Sequence, residues 1–483
     1  MTKLKMLLGP ILGLITYFLL LEQTKSQNMS ITGGVGIWMA TWWITEAVNI
    51  YFTSLIPIAF LPFFGVISMK ELGPMYMPDI IFFFIGGFLL AFALEKWDIH
   101  KRIALKILLI VGNSQKKLLL GFMLTSYFLS MWILNTAVVM MLLPAAMAIF
   151  KQIQNEDDNN DLSTPFLLGI AYAASIGGTA TLIGTAPNLY FMDFFNENLT
   201  NYEPVTFGGW FIIGLPASLL FITLAFWVIS KKYLNNTPSS LFNIDEIKEE
   251  YKSLGKVNFD QWIVSIIFII TVFMWFTAKP IDIGSLQFPG WLTLFENPTY
   301  IKESTIAMLS ALLLVMIPSK TKSGNLLDWE AAKKIPVGII FLFGGGFALA
   351  KVITTSGLGL WLGDQLVFLK DFNPIFVVIA LALFMTFFTE LTSNTASTIL
   401  ILPILMPIAQ NVDMHPMIVM MPVVMSASFA FMLPVATPPN TIVYGTEKVK
   451  IKDMIRTGLI LNLLGVLVSL IAVLVWGKFI FGW

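Results

Sequence analysis

Two polar motifs interrupt long apolar segments of this sequence, one in each half of the chain. The first contains Asn135-Thr136 and the second contains Asn394-Thr395, so that 394 − 135 gives a separation of 259 residues. The same separation of 259 relates two further pairs of landmarks, Pro144 with Pro403 and Phe88 with Phe347. We interpret this shared register as an internal duplication, in which the two motifs occupy equivalent places in two structural repeats.

Composition places the chain in a membrane. Hydrophobic residues make up 57% of the 483 residues and charged residues only 12%, whereas about a quarter of a soluble domain is charged. The formal net charge of zero gives no indication of nucleic-acid binding. The absence of cysteine excludes disulfides and thiolate metal sites. The chain is therefore predicted to be an all-α polytopic protein of the cell membrane, surrounded by membrane lipid.

With ~20 apolar residues per crossing, the hydrophobic pattern predicts about eleven transmembrane helices. They are placed near 6–22, 33–47, 49–68, 79–96, 165–195, 208–230, 259–278, 302–318, 336–353, 416–446 and 457–481. Two further segments, 118–150 and 374–408, carry the Asn-Thr pairs near their middle. A single helix over either segment would be about 50 Å long, too long for a core of ~30 Å and too short for two crossings. Both segments are therefore predicted to be re-entrant hairpins with the Asn-Thr pair at the tip.

The distribution of basic residues predicts the orientation of the chain. Lys101, Lys116 and Lys117 precede the first hairpin, and further basic residues mark later loops. With these loops in the cytoplasm, the N-terminus is cytoplasmic, the first hairpin enters from the cytoplasm and the second enters from outside. The two halves then form an inverted-topology repeat. The predicted organisation is an N-terminal transmembrane helix in 1–32, a first repeat in 33–230, a cytoplasmic and solvated linker in 231–258 and a second repeat in 259–483.

Each hairpin is followed by a helix, 165–195 or 416–446, that is interrupted by a second polar motif. The interruption reads Gly184-Thr185-Ala186-Pro187-Asn188 in the first half and Ala436-Thr437-Pro438-Pro439-Asn440 in the second. Proline lacks a backbone N–H and suits the first turn of a helix, which a threonine can cap. The motifs therefore predict two broken helices, whose unwound backbone is tolerated at membrane depth only where it is buried in protein or lines a cavity.

Four helix starts are expected near the bilayer midplane, following Thr136, Thr395, Pro187 and Pro438. Each offers free N–H groups and about half a positive charge, so that the four together favour a dianion. Neither motif contains lysine or arginine, and amide and hydroxyl donors supply the remaining contacts. The residues predicted to bind substrate are Asn135, Thr136, Asn394 and Thr395 at the tips and Thr185, Pro187, Thr437 and Pro438 at the breaks.

The same breaks expose hydroxyls and carbonyls that suit a hard cation such as Na⁺. The predicted ligands in the second half are Thr389, Thr392, Asn394 and the Ala436 carbonyl. Those in the first half are Ser130, Asn135 and the Gly184 carbonyl. Leu134 occupies the position of Ser393 and brings no side-chain oxygen, so the first cation site is expected to be degraded. Apart from such a coupling ion, no cofactor is expected.

The chain resembles the divalent anion/sodium symporter family, the dicarboxylate transporters of the INDY type, over nearly its whole length. The likeness rests on Ser393-Asn394-Thr395, on the two break motifs and on Trp43-Ile44-Thr45-Glu46-Ala47 in an early helix. The resemblance implies a homodimer of subunits with scaffold and transport domains and an elevator-type motion. It also implies C4-type dicarboxylate substrates, such as succinate, malate, fumarate or 2-oxoglutarate, bound between the two tips with sodium beside each.

The expected function is therefore secondary transport of dicarboxylates. Because Leu134 departs from the family's Ser-Asn-Thr pattern, and some members exchange dicarboxylates without sodium, exchange is the predicted mode and sodium-coupled symport is the alternative. A passive anion channel is a more remote alternative, since paired hairpins suit alternating access better. An intramembrane hydrolase is disfavoured because the sequence has no His-Glu-x-x-His motif, so the chain is not expected to be an enzyme.

Overall fold

The computed structural model describes residues 2–112, 114–153, 162–234, 245–283 and 286–478. Regular structure in these ranges is helical apart from one antiparallel pair of short strands, β1 (Ile281–Ile283) and β2 (Leu286–Phe288). The predicted all-α fold class is confirmed, with this short pair of strands as a local exception. The strands lie in a connection between apolar helices, where β-branched isoleucines alternate with a polar residue and favour extended backbone.

The first half of the chain folds into a series of helices that leads up to the first broken helix and beyond it. They are α1 (Thr2–Thr24), α2 (Gln27–Thr45), α3 (Ile50–Thr53), α4 (Ile56–Phe63), α5 (Met69–Leu72), α6 (Asp79–Lys96), α7 (Ile99–Val111), α8 (Gln115–Ser130), α9 (Asn135–Ile153), α10 (Ser163–Gly178), α11 (Ala186–Asn198) and α12 (Phe207–Tyr233).

The second half begins with a short polar helix and then follows the pattern of the first. Its helices are α13 (Asp245–Ser253), α14 (Phe259–Phe276), α15 (Glu303–Met316), α16 (Trp329–Ala332), α17 (Gly338–Thr355), α18 (Leu358–Gln365), α19 (Pro374–Phe388), α20 (Asn394–Asn411), α21 (Pro416–Ala427), α22 (Pro438–Tyr444) and α23 (Ile451–Ala472). A π-helical turn, Val473–Gly477, extends α23.

Among the described residues, six helical segments are long and apolar enough to cross a membrane. They are Lys5–Thr24, Met69–Lys96, Phe207–Tyr233, Phe259–Phe276, Gly338–Thr355 and Ile451–Gly477. The other predicted spans are shorter, broken or, in the case of the 19-residue helix α2, less apolar. The span predicted at 49–68 is divided into α3 and α4. Pro57 has no N–H to donate to the Thr53 carbonyl. The next carbonyl, that of Ser54, accepts a hydrogen bond from the Tyr76 hydroxyl at 2.6 Å.

The two segments predicted as hairpins each form two helical arms joined by a short turn. The arms are α8 and α9 in the first half and α19 and α20 in the second. The turns contain Leu134 and Ser393, and the second arms begin at Asn135 and Asn394. The helix starts therefore lie at the asparagines, two residues earlier than the starts that the sequence predicted after the threonines.

The connection between the halves differs from the predicted solvated linker. Helix α12 continues to Tyr233, and α13 packs against α7 with Ile247 buried. The Arg102 guanidinium of α7 donates to the Leu254 and Gly255 carbonyls, each at 2.9 Å. These hydrogen bonds and the burial of Ile247 anchor α13 and the segment after it. Residues 235–244 of the predicted linker lie outside the described residues.

The halves interlock around their broken helices. Helix α22 packs against α9 of the first hairpin, and α20 of the second hairpin packs against α11. The Tyr172 hydroxyl in α10 donates to the Phe431 carbonyl in the second break at 2.8 Å. Each break is therefore enclosed partly by the opposite half of the chain.

Replacing Tyr172 with phenylalanine is expected to lower the free energy of unfolding by about 1–3 kcal/mol, because the buried Phe431 carbonyl loses this donor. Tyr190→Phe is the matched control. Both tyrosines are 0% exposed, but the Tyr190 hydroxyl has no hydrogen-bond partner. Thermal unfolding in detergent should give a lower midpoint for Tyr172→Phe alone. Equal midpoints for the two variants would contradict a stabilising role for this bond.

Candidate functional site

The two breaks are closed by the same hydrogen-bond pattern. The Asn188 side-chain nitrogen donates to the carbonyls of Gly178 (3.2 Å) and Thr181 (2.8 Å), which lie ten and seven residues earlier. In the second half, the Asn440 side-chain nitrogen donates to the carbonyls of the residues ten and seven places earlier, at 2.9 and 3.0 Å, Ala430 and Leu433. The asparagine side chain of each break motif therefore holds the unwound backbone together through two hydrogen bonds. The repeat that was proposed from the sequence register thus extends to individual contacts.

The other break residues predicted to bind substrate are placed at the helix starts. Thr185 and Thr437 both have extended backbone and occupy the residue before α11 and α22. Only the Thr437 hydroxyl caps its helix, accepting from the Asn440 backbone N–H at 3.3 Å. Pro187 is buried, whereas Pro438 is exposed. The two breaks are thus alike in backbone and differ in how much of each proline is accessible.

A cluster of oxygens lies beside the first hairpin tip. Ser130 Oγ and Asn135 Oδ1 are buried and have no hydrogen-bond partner. A methyl group on Gly178 would lie 3.0 Å from both Asn135 Oδ1 and the Gly184 carbonyl oxygen, so these two atoms border the same small space. The structure therefore brings Asn135 and Gly184 together, and Ser130 contributes a further unpaired oxygen at the end of α8. Hydroxyl, amide and carbonyl oxygens of this kind are ligands for a hard cation.

The second hairpin tip holds a related pair of oxygens. The Thr389 hydroxyl is 2.7 Å from Asn394 Oδ1 and 2.9 Å from the Ala427 carbonyl. Because a hydroxyl has a single proton, donation to Ala427 leaves a Thr389 lone pair and Asn394 Oδ1 available to a cation. Buried Ala436 ends a short 3₁₀ turn directly before Thr437. The structure thus brings Thr389 and Asn394 together.

Thr392 is placed differently from its predicted role as a cation ligand. Its hydroxyl donates to the Phe388 carbonyl at 3.0 Å and lies against the Ser397 hydroxyl. These contacts are internal to the hairpin turn. Thr136 and Thr395, predicted to contact substrate, are partly exposed in the first turn of α9 and α20, where their hydroxyls are accessible.

Leu134 lies in the first hairpin turn, directly before Asn135. Its side chain is 39% exposed and lines a small apolar groove with residues of α6, among them Phe84 and Phe88. Position 134 therefore supplies no side-chain oxygen, and Asn135 Oδ1 and the Gly184 carbonyl border one small space without it. The expectation of a degraded first site stays a prediction.

Glu390 and Asn462 form a buried polar pair at the second hairpin turn that the sequence prediction did not include. Glu390 lies in the second hairpin turn next to Thr389 and is 4% exposed. Its carboxylate accepts from the backbone N–H groups of Met432 (2.8 Å) and Leu433 (2.9 Å) and from the Asn462 side chain (2.8 Å). An acidic residue inside an apolar segment was the available sequence signal. Nothing in the sequence identified its partners.

The comparisons with known proteins agree on one family. The family model described as "Sodium:sulfate symporter transmembrane region" matches residues 4–483. A protein of Staphylococcus saprophyticus named sodium-dependent dicarboxylate transporter SdcS is 38% identical over 481 residues, with 97% of this chain and 90% of the relative covered. The protein of the same name from Staphylococcus aureus strain USA300 is 37% identical with the same coverage.

A solved structure supports the same fold. The YdaH transporter of Alcanivorax borkumensis superposes with a TM-score of 0.54 over 91% of this chain and 90% of its own, at 12% sequence identity. Together with the apolar helices, the family match shows a multi-pass membrane protein. The resemblance inferred from the motifs is confirmed: the chain belongs to the sodium:sulfate symporter transmembrane family, whose members are transporters and not enzymes.

Proposed function

We propose that this protein is a secondary transporter that moves a C4-type dicarboxylate across the cell membrane together with Na⁺. The observation that carries the proposal is the buried, unpartnered Asn135 Oδ1, which borders one small space with the Gly184 carbonyl, together with the unpartnered Ser130 Oγ at the end of α8. Buried polar atoms without partners are costly, and a bound cation would satisfy them. The names of the relatives support the same ion and the same class of substrate.

The substrate would lie between the two hairpin tips. Asn135, Thr136, Asn394 and Thr395 stand at the starts of α9 and α20, which have 19 and 18 residues and present free N–H groups and a positive dipole end. The break helix α11 has 13 residues and adds a third such start, whereas α22 has only seven and adds least. Amide and hydroxyl donors without a fixed basic residue suit reversible binding of two carboxylates.

Sodium coupling replaces the exchange mode that was predicted from the sequence. That prediction depended on Leu134, yet unpaired oxygens of Ser130 and Asn135 remain beside the first tip as candidate cation ligands. The relatives are named as sodium-dependent, which also favours the alternative. Exchange without sodium is therefore retained only as an outcome that the transport experiment can reveal.

We further propose an elevator-type motion in a homodimer embedded in lipid, with the hairpins re-entrant and the N-terminus in the cytoplasm. The packing of the glycine pairs supports a boundary between two moving parts. Gly86 packs on Ala307, but its neighbour Gly87 faces Ile183 beside the first break. In α17, Gly345 packs on Ser54 while Gly346 faces Ile399 and Tyr190. Each pair thus contacts the surrounding helices with one glycine and the site-bearing elements with the other.

Uptake of labelled succinate into proteoliposomes tests the proposed function. An inward Na⁺ gradient should drive accumulation above equilibrium into vesicles that contain no dicarboxylate, and replacing Na⁺ by choline should abolish it. Protein-free liposomes are the control. Uptake that requires internal dicarboxylate and ignores Na⁺ would reject symport in favour of exchange. Uptake that never exceeds equilibrium would favour a passive channel.

A further inference from the structure

The Glu390 carboxylate is surrounded by hydrogen-bond donors. Oε1 accepts from Met432 N–H and the Asn462 side chain, and Oε2 accepts from Leu433 N–H. These three donors, at 2.8 to 2.9 Å, meet two carboxylate oxygens, and no acceptor pairs with the side chain in the described part of the chain. A protonated acid would need an acceptor for its own hydrogen, so the geometry is that of an ionised carboxylate.

The donors belong to backbone that the second break leaves unpaired. Residues 428–433 lie between the end of α21 and the 3₁₀ turn Pro434–Ala436. The N–H of Phe431 donates to Asn462 Oδ1 at 3.2 Å, and the next two N–H groups donate to Glu390. Two consecutive amides therefore bind the Glu390 carboxylate, and the amide before them binds its neutral partner Asn462. The carboxylate therefore ties the middle of the break to the hairpin turn.

In the first half, the backbone amides of the break are paired without a charged side chain. Subtracting 259 from Glu390 gives Met131, and the Met131 carbonyl accepts from the Thr181 hydroxyl at 2.6 Å. The amides of Thr179 and Ala180 bond back to carbonyls three residues earlier, in a tight turn. The two tips are therefore unequal, because only the second has a fixed negative charge in its turn.

That charge has no basic partner. No lysine or arginine among the described residues forms an ion pair with Glu390, although it is 4% exposed. A buried charge is costly unless an opposite charge is near. The adjacent residue, Thr389, and Asn394 supply the two neutral oxygens at the second tip. Because Thr389 and Glu390 are consecutive residues of one turn, a cation held there would lie within the range over which a buried carboxylate attracts it.

We propose that Glu390 is the counter-ion and positioning residue of a cation bound at Thr389 and Asn394, without touching the cation itself. This inference rests on the proposed sodium coupling. Neutral oxygens alone hold Na⁺ weakly, and a fixed carboxylate in a low-dielectric surrounding attracts it over a longer range. The hydrogen bonds to Met432 and Leu433 also fix the chain that leads to Ala436, and so set the distance between the break and the tip.

Sodium titration of succinate uptake by Glu390→Gln tests the inference. The substitution keeps the size of the side chain and removes its charge. We expect the Na⁺ concentration for half-maximal uptake to rise at least tenfold, while the KM for succinate at saturating Na⁺ changes less than threefold. The matched control is Glu296→Gln on the exposed loop before α15, which should leave both values unchanged.

A purely structural role for Glu390 predicts a different result. Uptake would then fall in proportion to the folded protein recovered, and the sodium curve would keep its midpoint within twofold, which would overturn the inference. If Glu390→Gln yields no folded protein, Asn462→Ala is the second variant, because it keeps the charge of Glu390 and removes one of its donors. We expect Asn462→Ala to raise the midpoint of the sodium titration about threefold. An unchanged midpoint in Asn462→Ala would then overturn the inference. Wild-type uptake that ignores Na⁺ would instead reject the proposed function.

Discussion

Replacing Asn135 with leucine is expected to reduce sodium-driven succinate uptake at least about 100-fold, because hydrogen bonds to charged groups contribute about 1.5–3 kcal/mol each and tenfold corresponds to 1.4 kcal/mol. The amide loses both its oxygen in the cation cluster and its donor at the start of α9. Leucine has a similar size, so the hairpin should keep its packing. The measurement is the initial rate of uptake per mole of protein. The thermal unfolding midpoint is the control for folding and should be unchanged.

The same loss is expected for Asn394→Leu at the second tip, where the amide oxygen is 2.7 Å from the Thr389 hydroxyl. Asn201→Leu in the exposed loop between α11 and α12 is the matched control and should transport at the wild-type rate. A well-folded Asn135→Leu or Asn394→Leu protein that carries succinate normally would show that the substrate crosses elsewhere.

Adding a single methyl group at Gly178 is expected to raise the half-saturating Na⁺ concentration about 5- to 150-fold, since overpacking a site costs about 1–3 kcal/mol and tenfold corresponds to 1.4 kcal/mol. In Gly178→Ala the methyl carbon would lie 3.0 Å from both Asn135 Oδ1 and the Gly184 oxygen, in the space assigned to the cation. The residue ends α10 in a conformation open to alanine, so the backbone itself imposes no strain.

The second repeat provides the control for this change. Subtracting 252, the spacing between Asn188 and Asn440, from Ala430 gives Gly178, so the second half already has a methyl group at the equivalent position. Ala430→Gly is expected to leave the sodium midpoint within about threefold, because it removes atoms from a packed site without blocking a ligand. If Gly178→Ala has the wild-type dependence of uptake on Na⁺ concentration, the first cluster does not bind the cation.

The sequence register was sufficient to predict the duplicated hairpins and breaks, because proline and the Asn-Thr pairs act locally on the backbone. It was insufficient for contacts set by packing. The alignment with Ser393 predicted that Leu134 brings no oxygen, but it did not predict the groove that this side chain lines with residues of α6. Which face of a turn meets a neighbouring helix is a tertiary property that position in a motif does not determine.

Glu390 illustrates the opposite limitation. Its acidic side chain is visible in the sequence directly before a motif, but its partners lie 42, 43 and 72 residues away. Likewise, the division of the predicted 49–68 helix depends on Tyr76, which competes for the Ser54 carbonyl. Local patterns predict where backbone groups become free, and long-range packing determines which side chain receives them.

The reciprocal contacts of α9 with α22 and of α20 with α11 mean that each half of the chain encloses part of the broken helix of the other. With the proposed inverted topology, a gene encoding only one half would make a product that must find a second copy inserted in the opposite orientation. Fusion of two such genes removes that search and fixes the ratio of the partners at one to one. The present chain can thus be regarded as a covalently tethered dimer of half-transporters.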